Sequence, residues 1–275
     1  MRAAILQSTS GIDPTENARM LVDAIERAKA GGADMLFTPE MVGCLDRNRK
    51  RAAQALRNEA DDVALAAVKD AAKRTGMWVH IGSLGLKSER ADDRWTNRSF
   101  IINPQGEVQA RYDKIHLFDV DLPDGISWRE SAVYGPGDRL AITDTPWGRV
   151  GLSVCYDLRF AELYRRLSDA GAHMLLIPAA FTVPTGRDHW EILLRARAIE
   201  NACFVIAPAQ TGTHEDGRET YGHSMVIDPW GTVLLDMGSK EALGFADIDF
   251  TQVDAVRARI PVLRHRRPLP EIERT

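Results

Sequence analysis

Three side chains of this sequence, Cys155, Glu40 and Lys114, have types and positions that nucleophilic catalysis could use. Cys155 follows the mostly apolar run 149–154 and precedes a stretch with helical character. A strand-to-helix elbow exposes the side chain at its centre and leaves backbone N–H groups free nearby. A thiol there can attack a carbonyl carbon while the N–H groups stabilise the oxyanion. A buried structural cysteine is the alternative interpretation.

A cysteine nucleophile needs a base and an electrophilic partner, and Glu40 and Lys114 are candidates for these roles. Glu40 follows an apolar run and Pro39, so its carboxylate is expected at the carboxyl end of a strand, where open α/β sheets bind ligands. Lys114 lies just after a predicted hairpin. Taken singly, either could be a surface charge. The seven histidines leave a Cys–His pair open, but none has so telling a position.

The other two cysteines are predicted to be structural. Cys203 opens an apolar run and is expected in the core, while Cys44 is expected in a loop or the core. Three is an odd number and no C-x-x-C spacing is present, so a disulfide framework is excluded. A reducing compartment follows, and we predict a cytoplasmic protein. No signal peptide and no run of about 18 apolar residues is found, so no membrane association is expected.

The composition of the 275 residues is that of a folded globular protein, with 44% apolar and 27% charged residues. This length allows one or two domains. A net charge of −4 argues against a nucleic-acid partner, which normally needs a basic surface. No H-E-x-x-H motif, paired C-x-x-C or carboxylate cluster indicates a metal site, and no Walker or dinucleotide glycine pattern indicates a nucleotide. We therefore predict neither metal nor nucleotide cofactor.

Short apolar runs alternate with amphipathic stretches, which predicts an α/β layered fold. Asp13 and Pro14 are suited to begin the first helix, and Leu21, Ile25 and Ala28 then share one face. Further helices are predicted over 62–74, 160–170 and 189–201. Strands are predicted over residues 3–7, 35–38, 78–84, 100–103, 108–112, 150–155, 174–178, 204–207, 224–228, 232–236 and 244–248.

Two pairs of segments repeat in the same order along the chain. Gly32-Ala33-Asp34-Met35-Leu36 resembles Gly171-Ala172-His173-Met174-Leu175, and the Asn-Pro-x-Gly turn at 103–106 resembles the Asp-Pro-x-Gly turn at 228–231. Such turns join hairpin strands. The repeat predicts an internal pseudo-twofold, with two related sheets packed face to face and helices outside.

Three separated segments together resemble the nitrilase (carbon–nitrogen hydrolase) superfamily, and the likeness runs from about residue 2 to Arg267. The matching segments are Phe37-Thr38-Pro39-Glu40, Tyr112-Asp113-Lys114-Ile115-His116-Leu117-Phe118 and Gly151-Leu152-Ser153-Val154-Cys155-Tyr156-Asp157-Leu158-Arg159-Phe160. The resemblance implies a single domain over 1–275, an αββα sandwich of two mixed sheets, no cofactor, and a homodimer or larger homo-oligomer.

The resemblance also implies residue roles. Glu40 is the implied base and acid, Lys114 the electrostatic stabiliser and Cys155 the nucleophile. Glu130 occupies the place of a second glutamate found after the lysine motif in many members, where it would orient Lys114 or water. The backbone N–H of Tyr156 is expected to join Lys114 at the oxyanion.

Further residues are candidates for binding substrate. Arg159 could receive a substrate carboxylate bidentately or form a salt bridge that braces the elbow. Phe181 is expected to wall the pocket, and Thr182 and Thr185 to hydrogen-bond the substrate. The stretch 41–58 matches none of the motifs and is a candidate lining for the pocket mouth.

Within the superfamily, the sequence looks most like the Nit branch, in the stretches 116–121, 189–200, 209–212, 221–224 and 261–268. That branch includes amidases of deaminated glutathione and ω-amidases. The first activity is the implied function, hydrolysing the amide between a 2-oxoglutaryl group and Cys-Gly. An ω-amidase acting on 2-oxoglutaramate is the alternative, and a non-catalytic regulatory subunit is the other class considered.

Overall fold

The computed structural model describes residues 1–88, 91–121, 125 and 127–274. Its strands are β1 (Arg2–Gln7), β2 (Met35–Phe37), β3 (Trp78–Leu86), β4 (Thr96–Ile102), β5 (Val108–Asp113), β6 (Asp119–Asp121), β7 (Ser127–Arg129), β8 (Ala141–Thr145), β9 (Gly148–Leu152), β10 (Met174–Leu176), β11 (Phe204–Ala207), β12 (Thr211–Thr213), β13 (Glu219–Tyr221), β14 (Met225–Ile227), β15 (Val233–Asp236) and β16 (Ala242–Asp247). Its α-helices are α1 (Pro14–Ala30), α2 (Arg49–Ala55), α3 (Val63–Thr75), α4 (Ala161–Asp169), α5 (Val183–Asn201), α6 (Thr251–Arg259) and α7 (Val262–His265).

The described strands form two six-stranded mixed sheets and two short hairpins. The first sheet has the order β16-β1-β2-β3-β4-β5, and the second, written in the same sense, β8-β9-β10-β11-β14-β15. In each sheet the three strands after the first are parallel and the outer strands are antiparallel. The predicted internal repeat is therefore present as a repeated strand order, and the predicted α/β class with two mixed sheets is confirmed.

The core lies in layers because neighbouring residues of a strand point to opposite faces. In β1, Ala3 and Ile5 join a large cluster that also contains residues of the second sheet, such as Val150 and Met174, and residues of α4 and α5. The intervening Ala4 and Leu6 join a second cluster with α1 and α3. All of these side chains are buried, so strands such as β1 are covered on both faces.

The helices begin and end where the sequence provides capping groups. Asp13 caps α1, accepting a hydrogen bond from Thr15 N at 2.8 Å, and Pro14 opens the helix. Leu21, Ile25 and Ala28 are buried on one face, as predicted. Asp62 caps α3 in the same way.

Two predicted boundaries differ from the structure for a physical reason. The strand predicted to reach Cys155 ends at Leu152, because Cys155 has a left-handed φ of 51° that no strand accepts. Helix α5 begins at Val183 rather than 189, because Pro184 lies in its first turn, where the missing N–H has no intrahelical acceptor.

Several short elements were not predicted. The edge strand β8 alternates between half-buried and exposed side chains, a weak apolar signal, and β6, β7, β12 and β13 have three residues each. Helices α2, α6 and α7 bury few side chains.

Candidate active site

Cys155 begins a 3₁₀ helix, Cys155–Arg159, that follows β9 directly in space and sequence. Its backbone N–H donates to Pro178 O at 2.8 Å, which fixes the elbow against the segment after β10. Its φ of 51° is unusual for a side chain with a Cβ and is found where the surrounding structure enforces it. The side chain is 7% exposed and lines a cavity. The thiol is therefore held at a strained turn and faces a space that a ligand can enter.

Glu40 lies in the turn after β2 and is buried, with 4% exposure, so it is not a surface charge. Its Oε1 accepts hydrogen bonds from Lys114 Nζ at 2.9 Å and Asn97 Nδ2 at 3.0 Å, and its Oε2 from Ala180 N at 2.9 Å. The Glu40 backbone carbonyl accepts from Gln210 Nε2 at 2.9 Å. These contacts fix the carboxylate from both halves of the chain.

Lys114 is also buried, at 2% exposure, and pairs with two carboxylates. Its Nζ lies 2.9 Å from Glu40 Oε1 and 2.9 Å from Glu130 Oε2. Glu130 Oε2 also accepts from Phe118 N at 2.7 Å, which ties the carboxylate to the loop above the site. Asn97 Nδ2 lies 3.3 Å from Glu130 Oε1 and so bridges the two glutamates. The contacts of Glu130 are those expected of a group that orients Lys114.

The three groups influence each other's protonation. Burial alone would raise the pKa of Glu40, but the Lys114 ammonium and hydrogen bonds from Cys155, Lys114 and Asn97 hold that pKa below its ordinary value. Burial would lower the pKa of Lys114, yet Glu130 and Glu40 raise it well above its ordinary value. Burial and the Glu40 charge raise the pKa of the Cys155 thiol, outweighing Lys114. The directions of these pKa shifts favour an ionised Glu40, a charged Lys114 and a neutral Cys155 thiol in the resting site.

A buried carboxylate, Asp157, joins the segment of the lysine to that of the cysteine. It accepts hydrogen bonds from Tyr112 Oη at 2.7 Å, His116 N at 3.0 Å and Val154 N at 2.9 Å. His116 Nδ1 lies 2.7 Å from Asp157 Oδ1. Tyr112 and His116 flank Lys114, and Val154 precedes Cys155. Sequence reasoning missed this link, although Asp157 lies inside one of the motifs.

The cavity over these groups has a volume of about 370 Å³ and is lined by both polar and aromatic side chains. Four of the five predicted substrate-binding residues line it: Tyr156, Phe181, Thr182 and Thr185. The stretch 41–49 lines it as well, at Met41, Leu45, Asp46, Arg47 and Arg49. Further lining residues that sequence reasoning missed are Trp95, Asn97, Trp128, Arg129, Tyr134 and Arg218. None of them belongs to a motif, so no local signal identified them.

Arg159, the fifth predicted residue, is not among the described side chains that line this cavity. Its guanidinium lies 5.3 Å from the ring centroid of Phe181 and 5.9 Å from that of Tyr156, and its Nη1 lies 3.3 Å from His189 Nδ1. Arg159 thus makes cation–π contacts with two residues that line the cavity, and it forms no ion pair with the described residues. A role for Arg159 in binding a substrate carboxylate therefore stays a prediction.

Tyr156 lies in the first turn of the 3₁₀ helix, where backbone N–H groups lack an intrahelical acceptor. Its ring packs edge-on against Phe118 at a centroid distance of 5.1 Å.

Cys44 and Cys203 are free and buried, as predicted. Across the described ranges, no three His, Cys, Asp or Glu side chains are grouped so as to hold a metal ion. None of the described helices has the length and apolar character needed to cross a membrane.

Comparison with known protein families assigns the chain to one of them. The carbon–nitrogen hydrolase family matches residues 2–258. The chain belongs to the carbon–nitrogen hydrolase family. It is accordingly a hydrolase of carbon–nitrogen bonds, and the resemblance to the nitrilase superfamily is confirmed.

Individual members of the carbon–nitrogen hydrolase family are similar over nearly the whole chain. A deaminated glutathione amidase of Synechocystis sp. is 42% identical over 269 residues, covering 96% of this chain and 97% of the relative. The crystal structure of Saccharomyces cerevisiae Nit3, a member of branch 10 of the nitrilase superfamily, has a TM-score of 0.87 at 25% identity, covering 97% of this chain and 96% of that one.

A third similar protein bears on the cysteine. The amidase of Nesterenkonia sp. AN1, as a Glu-to-Gln mutant, shows the result of Michael addition of acrylamide at its active-site cysteine. Its structure has a TM-score of 0.78 at 27% identity, covering 95% of this chain and 98% of that one.

Proposed function

We propose that this chain is a cysteine-dependent amidase that hydrolyses linear, carboxylate-bearing amides through a thioester, with Glu40, Lys114 and Cys155 as its catalytic residues. The observation that carries the proposal is that Glu40, Lys114 and Cys155 line one cavity, with Lys114 Nζ 2.9 Å from Glu40 Oε1. The pKa of Glu40 is lowered and that of the Cys155 thiol is raised, so an ionised carboxylate shares the cavity with a neutral thiol and can act as its general base.

Acylation follows from these positions. Glu40 takes the Cys155 proton as sulfur bonds to the amide carbonyl carbon, and the carbonyl π electrons move to oxygen. Lys114 and the Tyr156 N–H stabilise this oxyanion, each such donor contributing roughly 3–4 kcal/mol. When the oxyanion collapses, the carbon–nitrogen bond breaks and Glu40 returns its proton to the leaving nitrogen. An amine departs and a thioester remains on Cys155.

Deacylation uses the same base. Glu40 takes a proton from water as the water oxygen attacks the thioester carbon, and the oxyanion again lies against Lys114 and Tyr156 N. Collapse breaks the carbon–sulfur bond, and Glu40 reprotonates the departing Cys155 sulfur. The carboxylic acid leaves. Glu130 acts by holding Lys114 toward Glu40, since it contacts the ammonium with both oxygens at 3.1 and 2.9 Å.

For the substrate, we propose deaminated glutathione, released as 2-oxoglutarate and Cys-Gly. Two observations support this choice. A relative that is 42% identical over 269 residues is named a deaminated glutathione amidase. The cavity is also lined by four arginines that suit an anionic amide: Arg47, Arg49, Arg129 and Arg218. Phe181, Thr182 and Thr185 line the same cavity and are proposed to contact the substrate.

The experiment is a mass-spectrometric product screen of the purified protein against deaminated γ-glutamyl peptides and short ω-amides. Release of Cys-Gly from deaminated glutathione, at a kcat/KM above that for 2-oxoglutaramate, is expected. Faster release of ammonia from 2-oxoglutaramate would instead make the chain an ω-amidase. No turnover of any amide would overturn the proposal and favour a non-catalytic subunit.

Variants test the three roles. Cys155→Ala, Glu40→Gln and Lys114→Met are each expected to lower kcat by at least about 100-fold. Cys44→Ala is the matched control, because Cys44 is a free, buried thiol outside the cavity lining. Near-normal turnover in any of the first three variants would remove that residue from the mechanism.

We further propose a single domain over 1–275, a homodimer or larger homo-oligomer, and a cytoplasmic location. The family match over 2–258 supports the first. Exposed apolar side chains on α5 and near β15, including Ile192, Ile199 and Trp230 at 71%, 51% and 54% exposure, support self-association. Three free cysteines suit a reducing compartment. Light scattering of the wild type and of Ile192→Lys tests the proposed assembly. A monomeric wild type would contradict it.

A further inference from the structure

Arg218 differs from the other arginines of the cavity in how it is held. Its Nε donates to Asp216 Oδ2 at 3.0 Å, and the Asp216 side chain is fully buried. Its guanidinium carbon lies 5.0 Å from the centroid of the Trp128 ring, a cation–π contact. Its side chain is 20% exposed, whereas Arg47 and Arg49 are exposed residues. The guanidinium is thus fixed on one edge and one face before any ligand arrives.

The remaining edge of Arg218 is available to a ligand. Its two Nη groups make no hydrogen bond to the described residues. Beside it, the indole Nε1 of Trp128 is buried and has no acceptor within the described part of the chain. Both side chains line the cavity that contains Cys155. Two fixed, unpaired donor groups on one wall call for an acceptor supplied from outside the chain.

The charges around this wall leave it positive. Asp216 is paired with Arg218, and Asp46 is paired with Arg51 at 2.6 Å. The carboxylates that remain in the cavity, Glu40 and Glu130, share Lys114. An anionic group entering the cavity therefore meets donors on this wall, and a planar carboxylate matches the guanidinium fork.

We infer that Arg218 is a specificity-determining residue that binds a carboxylate of the amide substrate remote from the scissile bond, next to Trp128. This inference rests on the proposed function, since it assumes an amide substrate attacked by Cys155. Because Arg218 is already fixed by Asp216 and Trp128, little side-chain entropy is lost when it binds.

The experiment compares kcat/KM for three amides in wild type and Arg218→Met. The amides are 2-oxoglutaryl-Cys-Gly, its C-terminal glycinamide, and its analogue with the 2-oxo acid carboxylate converted to a carboxamide. For the dianionic amide, Arg218→Met is expected to lower kcat/KM by about 10- to 100-fold. The loss should vanish for the analogue that lacks the bound carboxylate, and that analogue identifies which end of the substrate Arg218 holds.

Two further variants make the result specific. Arg218→Lys keeps the charge and its partner Asp216 but lacks the planar fork, and it should recover only part of the activity. Arg129→Met removes an equal charge from the same cavity, yet the Arg129 guanidinium is occupied by Val120 O, Trp128 O and Asp121. Its effect should be the same for all three amides. A uniform loss for Arg218→Met, or no loss, would overturn the inference.

A binding measurement separates this inference from the proposed function. If wild type turns over none of the amides, the proposed function fails. Calorimetry of the dianionic amide with Cys155→Ala and with Cys155→Ala/Arg218→Met then still tests Arg218, because binding needs no catalysis. If the dianionic amide binds the double variant more weakly than it binds Cys155→Ala, while one neutralised analogue binds both variants equally, the carboxylate contact is supported. Equal binding of every ligand to both variants would contradict it.

Discussion

Asp157 accepts a 2.7 Å hydrogen bond from Tyr112 Oη and thereby joins the strand that leads to Lys114 to the turn that holds Cys155. The two residues are 45 positions apart in sequence. Both are buried, and the same carboxylate also accepts hydrogen bonds from backbone N–H groups next to Lys114 and Cys155. The spacing between the proposed stabiliser and nucleophile is therefore set by one carboxylate that lies outside the cavity lining.

Asp157→Asn should test this positioning role. The amide has nearly the same shape but removes the charge and can accept at only one oxygen, so we expect kcat to fall by about 10- to 100-fold with a smaller change in KM. Tyr112→Phe removes the hydrogen bond to Asp157 and the longer one that Tyr112 Oη accepts from Ile115 N at 3.3 Å, and it should cost about 1–2 kcal/mol of stability with a milder effect on kcat. Steady-state kinetics and urea unfolding measure both. Equal kcat in wild type and Asp157→Asn would contradict the role.

The pH dependence of kcat/KM should be flat through neutrality and fall only in acid. Glu40 has its pKa held below the ordinary 4.5, so the base stays ionised until the pH falls below that value. The same titration removes stability, because a carboxyl with a lowered folded-state pKa stabilises the fold above its unfolded pKa and loses this as pH falls. Measurement of kcat/KM from pH 3 to 9 checks this prediction, and circular dichroism at each pH distinguishes titration of the base from unfolding of the protein. A loss of kcat/KM centred above pH 6 would contradict this assignment.

Glu40→Gln should make the Cys155 thiol more acidic while abolishing turnover. The Glu40 charge is among the causes that raise the pKa of Cys155, and Lys114 opposes it. Removing that charge leaves Lys114 as the neighbouring cation, which stabilises a thiolate. Ultraviolet thiolate titration, with Cys155→Ala subtracted, should show a lower midpoint than in wild type. A higher midpoint would mean that Glu40 does not raise the thiol pKa.

Gly82→Ala should damage the site through the backbone. A Cβ at Gly82 would lie 2.1 Å from Thr38 O and 2.4 Å from Pro39 O, directly before Glu40, and backbone cannot yield as a side-chain end can. We expect a loss of about 2–4 kcal/mol in stability and a large fall in kcat. Gly11→Ala is the control, since its nearest neighbour would be the side-chain atom Glu215 Oε2 at 3.1 Å. Thermal unfolding and kinetics compare the two, and equal stability would contradict the prediction.

The proposed catalytic residues could be predicted because each lies in a short contiguous motif. Glu40, Lys114 and Cys155 stand at the ends of apolar runs or turns that the sequence itself marks. Their burial could not be predicted in this way, since an isolated Glu or Lys is most often exposed. The structure buries both Glu40 and Lys114 because the charge of each neutralises the charge of the other.

The part of the cavity lined by Arg218 and Trp128 could not be predicted, because its contacts join distant segments. Arg218 depends on Trp128 for its position, and those residues come from different hairpins. Arg159 is predicted from its place four residues after Cys155, and the structure holds its guanidinium 5.3 Å from the ring centroid of Phe181. Sequence proximity to Cys155 does not indicate which arginines line the cavity, since Arg218 does so from a distant hairpin.

The pairing of β1 with β16 has a consequence for how the chain is made. Residues Arg2–Gln7 align with Ala242–Asp247, so the first sheet gains its last strand only when nearly all of the chain exists. The second sheet uses a continuous stretch, β8 to β15, and can form earlier during synthesis. Until β16 arrives, β1 keeps an open edge of apolar strand, which is prone to pairing with other chains. A chain that stops before residue 242 lacks β16 and would leave this edge of β1 unpaired.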